Sequence, residues 1–516
     1  MLNNLKPLVV VLFFATLVFW LAKPLALRFM AEADYVRRRN VWFALTVTAF
    51  VSPSFWFYLL FAVPLLAWIA SKDKNPMALT LLFMHVIPPM SIELPAIAIN
   101  RLFDLSNYRV LALVVLLPAA IRIASERRVA AGGYRFADIC IVGYCLLTLV
   151  LLIPYESPTN TMRRVFLLGV DIGLVYYVFS RLSVQRERVV EAMACFAISM
   201  LFISSIAVFE WARSWLMYTG INDRWGDPNV LAWLMREGAL RAQASSGHAL
   251  SLGYMCAMAL GVWLYLQHRV ESRHARWGVT LILLAGAYAS VSRGPWIVAA
   301  LVYLAYCLLG PLSAIQVAQR FAVIAFAGIA ALVSPYGDSL MSYLPFVGTV
   351  DAANVTYRQE LATLSWKLIQ QDPFFGSPFV LTQMESLRQG QGIIDLVNSY
   401  ASIAMFYGIV GLVLLLAPFL LGLGRLIVLA RARRRAHPNA QPDAAAASVA
   451  ACMIGTLLML ALSSFGTILA FLYWVLAAVA VGLSTKSAEV RASPGAVSQT
   501  AGWQRRNAAR GVRASV

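Results

Sequence analysis

Residues 287–300 read AYASVSRGPWIVAA. Apolar sequence leads up to this stretch and away from it, and Arg293 stands at the break, followed at once by Gly294 and Pro295. A cation at the centre of a membrane helix costs roughly 2.5–3.5 kcal/mol on insertion scales. Arg293 therefore belongs to a tight turn at a membrane boundary, with one helix ending before it and another starting after it. Reading outward from that turn gives spans near 277–292 and 295–310. Others fall near 8–24, 53–70, 77–92, 109–121, 137–153, 164–180, 191–211, 247–267, 320–334, 398–424, 446–463 and 467–484. Only the region 25–52 resists: RRRN (37–40) needs water, and VWFALTVTAFVS (41–52) is short for a span, so a tight hairpin broken at Pro53 is expected. The total comes to about 12–15 crossings, from runs of roughly 17–25 residues.

Composition agrees. The 516 residues are 60% hydrophobic and 13% charged, with mean hydropathy +0.72. Soluble domains carry about 25% charged residues, so that class is excluded. A membrane barrel would show alternation rather than long runs, and sheet patterning is not evident. The expected fold is an all-α polytopic transmembrane bundle over 1–484, with a polar, disordered cytoplasmic tail over 485–516. The first run, PLVVVLFFATLVFWLA (7–22), has only Lys6 before it and reads as a retained helix rather than a signal peptide.

The formal charge of +18 invites a nucleic-acid partner. In a membrane protein it marks cytoplasmic loops instead. The clusters are RIASERR (122–128), RLSVQRER (181–188), HRVESRHAR (268–276) and RARRR (431–435). The six cysteines lie inside apolar runs and form no CxxC pair. Buried packing accounts for them without a disulfide framework. With no Asp-x-Asp and no His cluster, neither metal nor cofactor is expected.

Two segments are too polar for the bilayer, 212–246 and 335–397. Charge counting puts both outside the cytoplasm. In the second, TYRQ (356–359) reads as a capping box. Leu361, Leu364, Leu368 and Ile369 then share one helical face. The helix should stop at Asp372-Pro373. An amphipathic helix lying over the membrane domain follows.

Arg241 and His248 sit in LRAQASSGHALSLGYM, Arg293 at its turn and Arg358 at the amphipathic helix. Positive charge is scarce on the external side. A single arginine there commonly pairs with a carboxylate or snorkels to headgroups. Three beside the large loops point to an anionic ligand, and the guanidinium fork suits a diphosphate. A lone His where a helix begins is more often structural than catalytic. Asp395 is a solvated loop acid or a carboxylate base.

RAQASSGHALSLGY followed by SVSRGPW resembles the paired signatures of the O-antigen ligase and Wzy-type polysaccharide polymerase superfamily. So do YRQELATLSWKLIQQDPFFG and VNSYASIAMFYGIVGLVLLL; the resemblance covers about residues 240–420. It implies a GT-C-like fold in the bacterial inner membrane, acting at the periplasmic face on glycans linked to polyprenyl diphosphate. Arg241 and Arg293 would hold the donor diphosphate, with Arg358, Asn398 and Tyr400 as further substrate contacts. Ligases of the superfamily carry a His just before the Asn of the N-S-Y motif, whereas this chain has Val397 before Asn398, Ser399 and Tyr400. That departure favours a polymerase of exopolysaccharide or O-antigen repeat units and leaves Asp395 and His248 as candidate bases. The expected enzyme is a metal-independent glycosyltransferase whose partners are the lipid-linked glycan, membrane lipid and other polysaccharide assembly proteins. The alternatives are an O-antigen ligase, a transporter or flippase of lipid-linked sugars, and a structural partner in an export complex. A transporter would place charges in mid-span and often shows repeated halves; neither is evident.

Overall fold

The computed structural model describes residues 2–96, 99–126, 134–225, 232–236, 238–333, 352–389, 394–436 and 443–492. In chain order these form α1 (Leu2–Ala26), α2 (Glu32–Val51), α3 (Phe55–Lys72), α4 (Pro76–Phe83) and a hairpin of β1 (Ser91–Ala96) and β2 (Ile99–Ser106). Then come α5 (Asn107–Ser125), α6 (Arg135–Leu152), α7 (Pro158–Leu182), α8 (Arg186–Arg213) and α9 (Thr219–Trp225). A two-residue hairpin of β3 (Met235–Arg236) and β4 (Ala239–Leu240) precedes α10 (Ala249–Leu266), α11 (Arg273–Ala289), α12 (Arg293–Leu309) and α13 (Ala314–Val333). The chain closes with α14 (Ala352–Gln371), α15 (Val380–Gln383), α16 (Ser399–Ala436), α17 (Ala444–Leu462) and α18 (Thr467–Ala492). The protein is a polytopic all-α membrane protein. Residues 493–516, most of the expected tail, lie outside the described residues, as do 335–351 and 390–393 of the second polar segment and 226–231 and 237 of the first.

Ten helical stretches among the described residues are long and apolar enough to cross a membrane, and α12 is a shorter apolar helix. The count falls below the expected 12–15 for specific reasons. The predicted span at 77–92 is the eight-residue α4, stopped ahead of Pro88-Pro89, because proline cannot donate the helical hydrogen bond. The chain then turns into the antiparallel β1–β2 hairpin, Ser91 opposite Ser106, which the apolar runs did not betray. Helices α11 and α13 also stand outside the ten.

The region 25–52 is not a hairpin. Helix α2 runs unbroken from Glu32 to Val51, and the charge conflict is settled by pairing. Arg38, 1% exposed, donates from Nε and Nη2 to both Asp73 oxygens at 2.8 Å and from Nη2 to Glu191 at 2.8 Å. Asn75 completes the network through its backbone N–H to Asp73 and its amide to Glu191, each 2.8 Å. A buried cation is tolerable only with such full pairing.

Helices α8, α10, α17 and α18 form the interior, while α3, α6 and α16 present large apolar side chains outward. In lipid the packing force is close contact rather than water exclusion, so small residues gather where helices meet. Helix α17 opens with buried Ala445, Ala446, Ala447 and Ser448. Ser448 donates to the Gly261 carbonyl of α10 at 2.8 Å, and the Tyr254 and Thr456 hydroxyls join the same pair of helices at 2.8 Å. Five of the six free cysteines are buried.

The amphipathic helix is α14. It begins at Ala352, so Thr356 lies inside it and TYRQ is not a capping box. It ends at Gln371, ahead of Asp372-Pro373 as expected. Leu361 and Leu368 are buried in a satellite core with Val380, Met384, Leu387 and Met405. The lock beyond it explains two glycines. Helix α16 breaks at Gly408, whose φ is 64°, and the 373–377 turn inserts there. Ile409 N–H donates to Pro373 O and Ser377 N–H to Met405 O, both 2.8 Å. A Cβ at Gly408 would meet Phe374 O at 2.0 Å, and one at Gly376 would meet Met405 O at 2.3 Å. Only glycine combines positive φ with that approach.

The Arg38 network gives a direct test. Arg38→Ala leaves Asp73 and Glu191 buried and uncompensated, a loss of about 3–5 kcal/mol. Thermal unfolding of the purified protein should show it as a large drop in midpoint. Arg39→Ala, removing a group that among the described residues bonds the neighbouring Asn40 side chain, should stay within about 0.5 kcal/mol.

Candidate functional site

The segment before α10 is held by a residue that sequence reading did not single out. Glu210 lies in the last turn of α8 and is fully buried. Its Oε1 accepts the Met217 N–H at 2.8 Å; Oε2 accepts those of Gln243 at 3.0 Å and Ala244 at 2.7 Å. One carboxylate thus staples two loop segments to the end of α8. An acid at a helix C-terminus opposes the macrodipole, so its place there is explained by the three donors it collects.

The staple sets the backbone of 241–244 against the α11–α12 turn. Ala242 N–H donates to Ala289 O at 3.0 Å and Arg241 N–H to Leu234 O at 2.9 Å. Two non-glycine residues carry positive φ here, Ala244 at 48° and Val291 at 44°. Such strain, unusual above all for β-branched Val291, persists where surrounding structure enforces it and clusters at functional sites. Arg236 Nη1 donates to the Val291 carbonyl at 3.2 Å.

Arg241 reaches this turn. Its Nη2 donates to Ser292 Oγ at 2.9 Å, and Ser292 Oγ donates to Ser290 O at 2.9 Å. Its Nε is buried with no hydrogen-bond partner. Among the described residues no carboxylate pairs with Arg241. Burial and then the charge of Arg236 pull its pKa down to about 10. Arg293 opens α12 directly after Ser292. Among the described residues packing does not require Gly294: a Cβ there would make ordinary van der Waals contact with Leu462 at 3.7 Å.

His248 is the N-cap of α10, and its Nδ1 accepts the Leu250 N–H at 3.2 Å. The neighbouring protein strips part of its hydration, and with the Arg241 charge this lowers its pKa, so the ring is neutral near pH 7. With Nδ1 accepting, Nε2 carries the proton. His248 is then a donor toward a ligand, which argues against its use as the base.

A second group surrounds a cleft of about 320 Å³ between α14 and the start of α16, lined by Arg358, Ser365, Trp366, Val397, Asn398 and Ala461. The Tyr357 hydroxyl accepts from Asp395 N at 3.0 Å and donates to Asp395 O at 3.1 Å, fixing that loop to α14. The exposed Asp395 carboxyl has its pKa raised by partial loss of hydration, with Arg358 opposing the rise. Asn398 Oδ1 caps α16 by accepting from Tyr400 N at 3.0 Å and Ala401 N at 3.1 Å. The Tyr400 hydroxyl donates to Leu457 O at 2.7 Å, a packing contact to α17. The two groups flank one helix end: Ala461 lines the cleft, Leu462 faces Gly294, and Ser463 O accepts from Ser399 at 2.6 Å.

Residues 278–416 match the family model described as O-antigen ligase. Over those residues the chain is similar to the O-antigen ligase family. The matched region holds Arg293, Arg358, Asp395, Asn398 and Tyr400, while Glu210, Arg241 and His248 precede it. No curated protein matches the chain. Among the described residues no group of three or more His, Cys, Asp or Glu is placed to hold a metal ion.

The Glu210 staple predicts a local effect. In Glu210→Gln the amide presents hydrogens to a backbone donor, and leaving that buried donor unpaired costs about 1–3 kcal/mol. Hydrogen exchange in a peptide covering 241–246 should speed up by about tenfold or more, with the interior of α10 unchanged. Equal protection in both proteins would show that the carboxylate does not hold the loop.

Proposed function

We propose that this O-antigen ligase-type membrane protein polymerises polyprenyl-diphosphate-linked oligosaccharide repeat units into exopolysaccharide or O-antigen, at the periplasmic face of a bacterial inner membrane. The observation that carries the reading is Arg241: a guanidinium with a buried, unpartnered Nε and no acid beside it, at the strained turn that leads into Arg293. A desolvated fork of this kind suits a diphosphate.

In the proposed reaction an acceptor hydroxyl loses its proton to a base as its oxygen bonds to the anomeric carbon of the donor glycan. The bond from that carbon to the diphosphate breaks, and the diphosphate leaves with the electron pair. Arg241 and Arg293 stabilise the charge developing on the leaving oxygen, and His248 adds an Nε2–H donor; prepositioned donors in a partly dry site act most strongly there. Asp395 is the proposed base. Its raised pKa brings a carboxylate closer to useful basicity, and it stands two residues before Val397, where resembling ligases have His. Arg358, with Asn398 beside it on the cleft wall, is proposed to hold the acceptor's diphosphate, and Tyr400 to set the start of α16. Ligation to a separate acceptor is the second reading, favoured by the description of the matching family.

Reconstitution with lipid-linked repeat units separates them: a ladder of lengthening chains supports polymerisation, and single transfer to a different acceptor supports ligation. The pH dependence tests the base. Asp395 acts when ionised, so activity should fall as pH drops through its pKa, above the ordinary value of about 3.9. Arg358→Gln removes the charge that opposes the rise, so the acid limb should move to higher pH. Asp395→Asn should lose about 10²–10⁴-fold in rate. Full activity in Asp395→Asn, with the limb unmoved in Arg358→Gln, would exclude Asp395.

A further inference from the structure

A cleft of about 560 Å³ opens where the ends of α3, α5, α7, α8 and α18 meet, among the basic loops and away from Arg241. Lys72, Lys74, Arg122 and Arg188 line it. Its other strong charges are already matched: Asp73 is taken by Arg38 at 2.8 Å, and Arg181 by Asp138 at 2.6 Å. Among the described residues none of the four lining cations has a carboxylate partner. Glu126 is the one remaining acid on the wall, against four positive charges.

Helix dipoles account for only half of this. Lys72 and Arg122 lie in the last turns of α3 and α5, where a cation is favoured. Lys74 precedes the first residue of α4 by two positions, and Arg188 is the third residue of α8. Both sit at positive helix ends, which repel cations and attract anions. Four unmatched cations and two helix N-termini around one cleft repel one another unless an anion is shared between them.

The cleft also borders the apolar surface of the bundle. Ile123 is on its wall, and on the same helix Leu117 and Ile121 are 41% and 61% exposed. We propose that the cleft binds the phosphate headgroup of an anionic membrane lipid, of the phosphatidylglycerol or cardiolipin class, whose chains run along α5. Clefts of this kind between basic helix ends are suited to such headgroups.

Full-length protein, delipidated in detergent, would be titrated with phosphatidylglycerol, cardiolipin, zwitterionic phosphatidylethanolamine and inorganic pyrophosphate, with bound molecules counted by native mass spectrometry. Two double variants, Lys74→Gln/Arg188→Gln and Lys72→Gln/Arg122→Gln, would be compared at matched thermal midpoints. Lys72, Lys74 and Arg122 are exposed and Arg188 half-buried, so at least one pair should fold normally. The expected result is one tightly held anionic lipid in the wild type, at least tenfold weaker in each variant, with phosphatidylethanolamine unchanged. Pyrophosphate binding lost in the variants, without any change in lipid retention, would keep a phosphate site but overturn the lipid source. Equal retention of anionic lipid and pyrophosphate in all three proteins would overturn the site.

Discussion

A single buried carboxylate holds the candidate donor site in place. Glu210 accepts three backbone N–H groups from two loop segments, and the positions of Gln243 and Ala244 fix where Arg241 leaves the chain. Without an acceptor of that strength, the three donors would be buried and unpaired, each at a cost of about 1–3 kcal/mol. The same anchor brings Ala242 onto Ala289 and so presents Arg241 to Ser292, one residue before Arg293. The strain at Ala244 and Val291 is stabilised by this cross-bracing.

A second constraint joins the cleft to the membrane domain. The turn after α14 enters the break in α16 at Gly408, and Gly376 makes the close approach from the other side. Helix α14 therefore cannot swing freely over the domain. The end of α17 places Leu462 near Gly294 and Ala461 on the wall of the Arg358 cleft. In the proposed reaction the two lipid-linked glycans would be held on either side of this helix end.

The long apolar runs made the membrane domain legible, because few other structures need 18 or more apolar residues in a row. Arg241 and Arg293 drew attention in the sequence because each stands at the edge of an apolar run, where a cation is costly. Elements set by tertiary pairing were not. The RRRN stretch looked too charged for a packed helix until Asp73 and Glu191, distant in sequence, supplied its counter-ions. The β1–β2 hairpin, with Glu93, Arg101 and Asp104 among its apolar residues, gave no helical or span signal and its pairing was not foreseen. Glu210 looked like an ordinary boundary acid at the end of a span; its one local signal was a carboxylate in the last turn of a helix, against the dipole. The cap made by Asn398 and the bond from Tyr400 to Leu457 show that motif residues near the cleft also carry the fold.

The most direct test of the account is the affinity of the purified protein for a polyprenyl diphosphate, measured for wild type and for Arg241→Lys, Arg241→Ala, Arg293→Lys and Arg293→Ala. A charge-assisted contact is worth about 1.5–3 kcal/mol, and lysine keeps the charge but not the fork. The account predicts binding weakened by about tenfold or more in each alanine variant, partly recovered by lysine, with thermal midpoints close to wild type. Unchanged affinity together with lowered stability would show that the two arginines serve the fold and that the diphosphate site lies elsewhere.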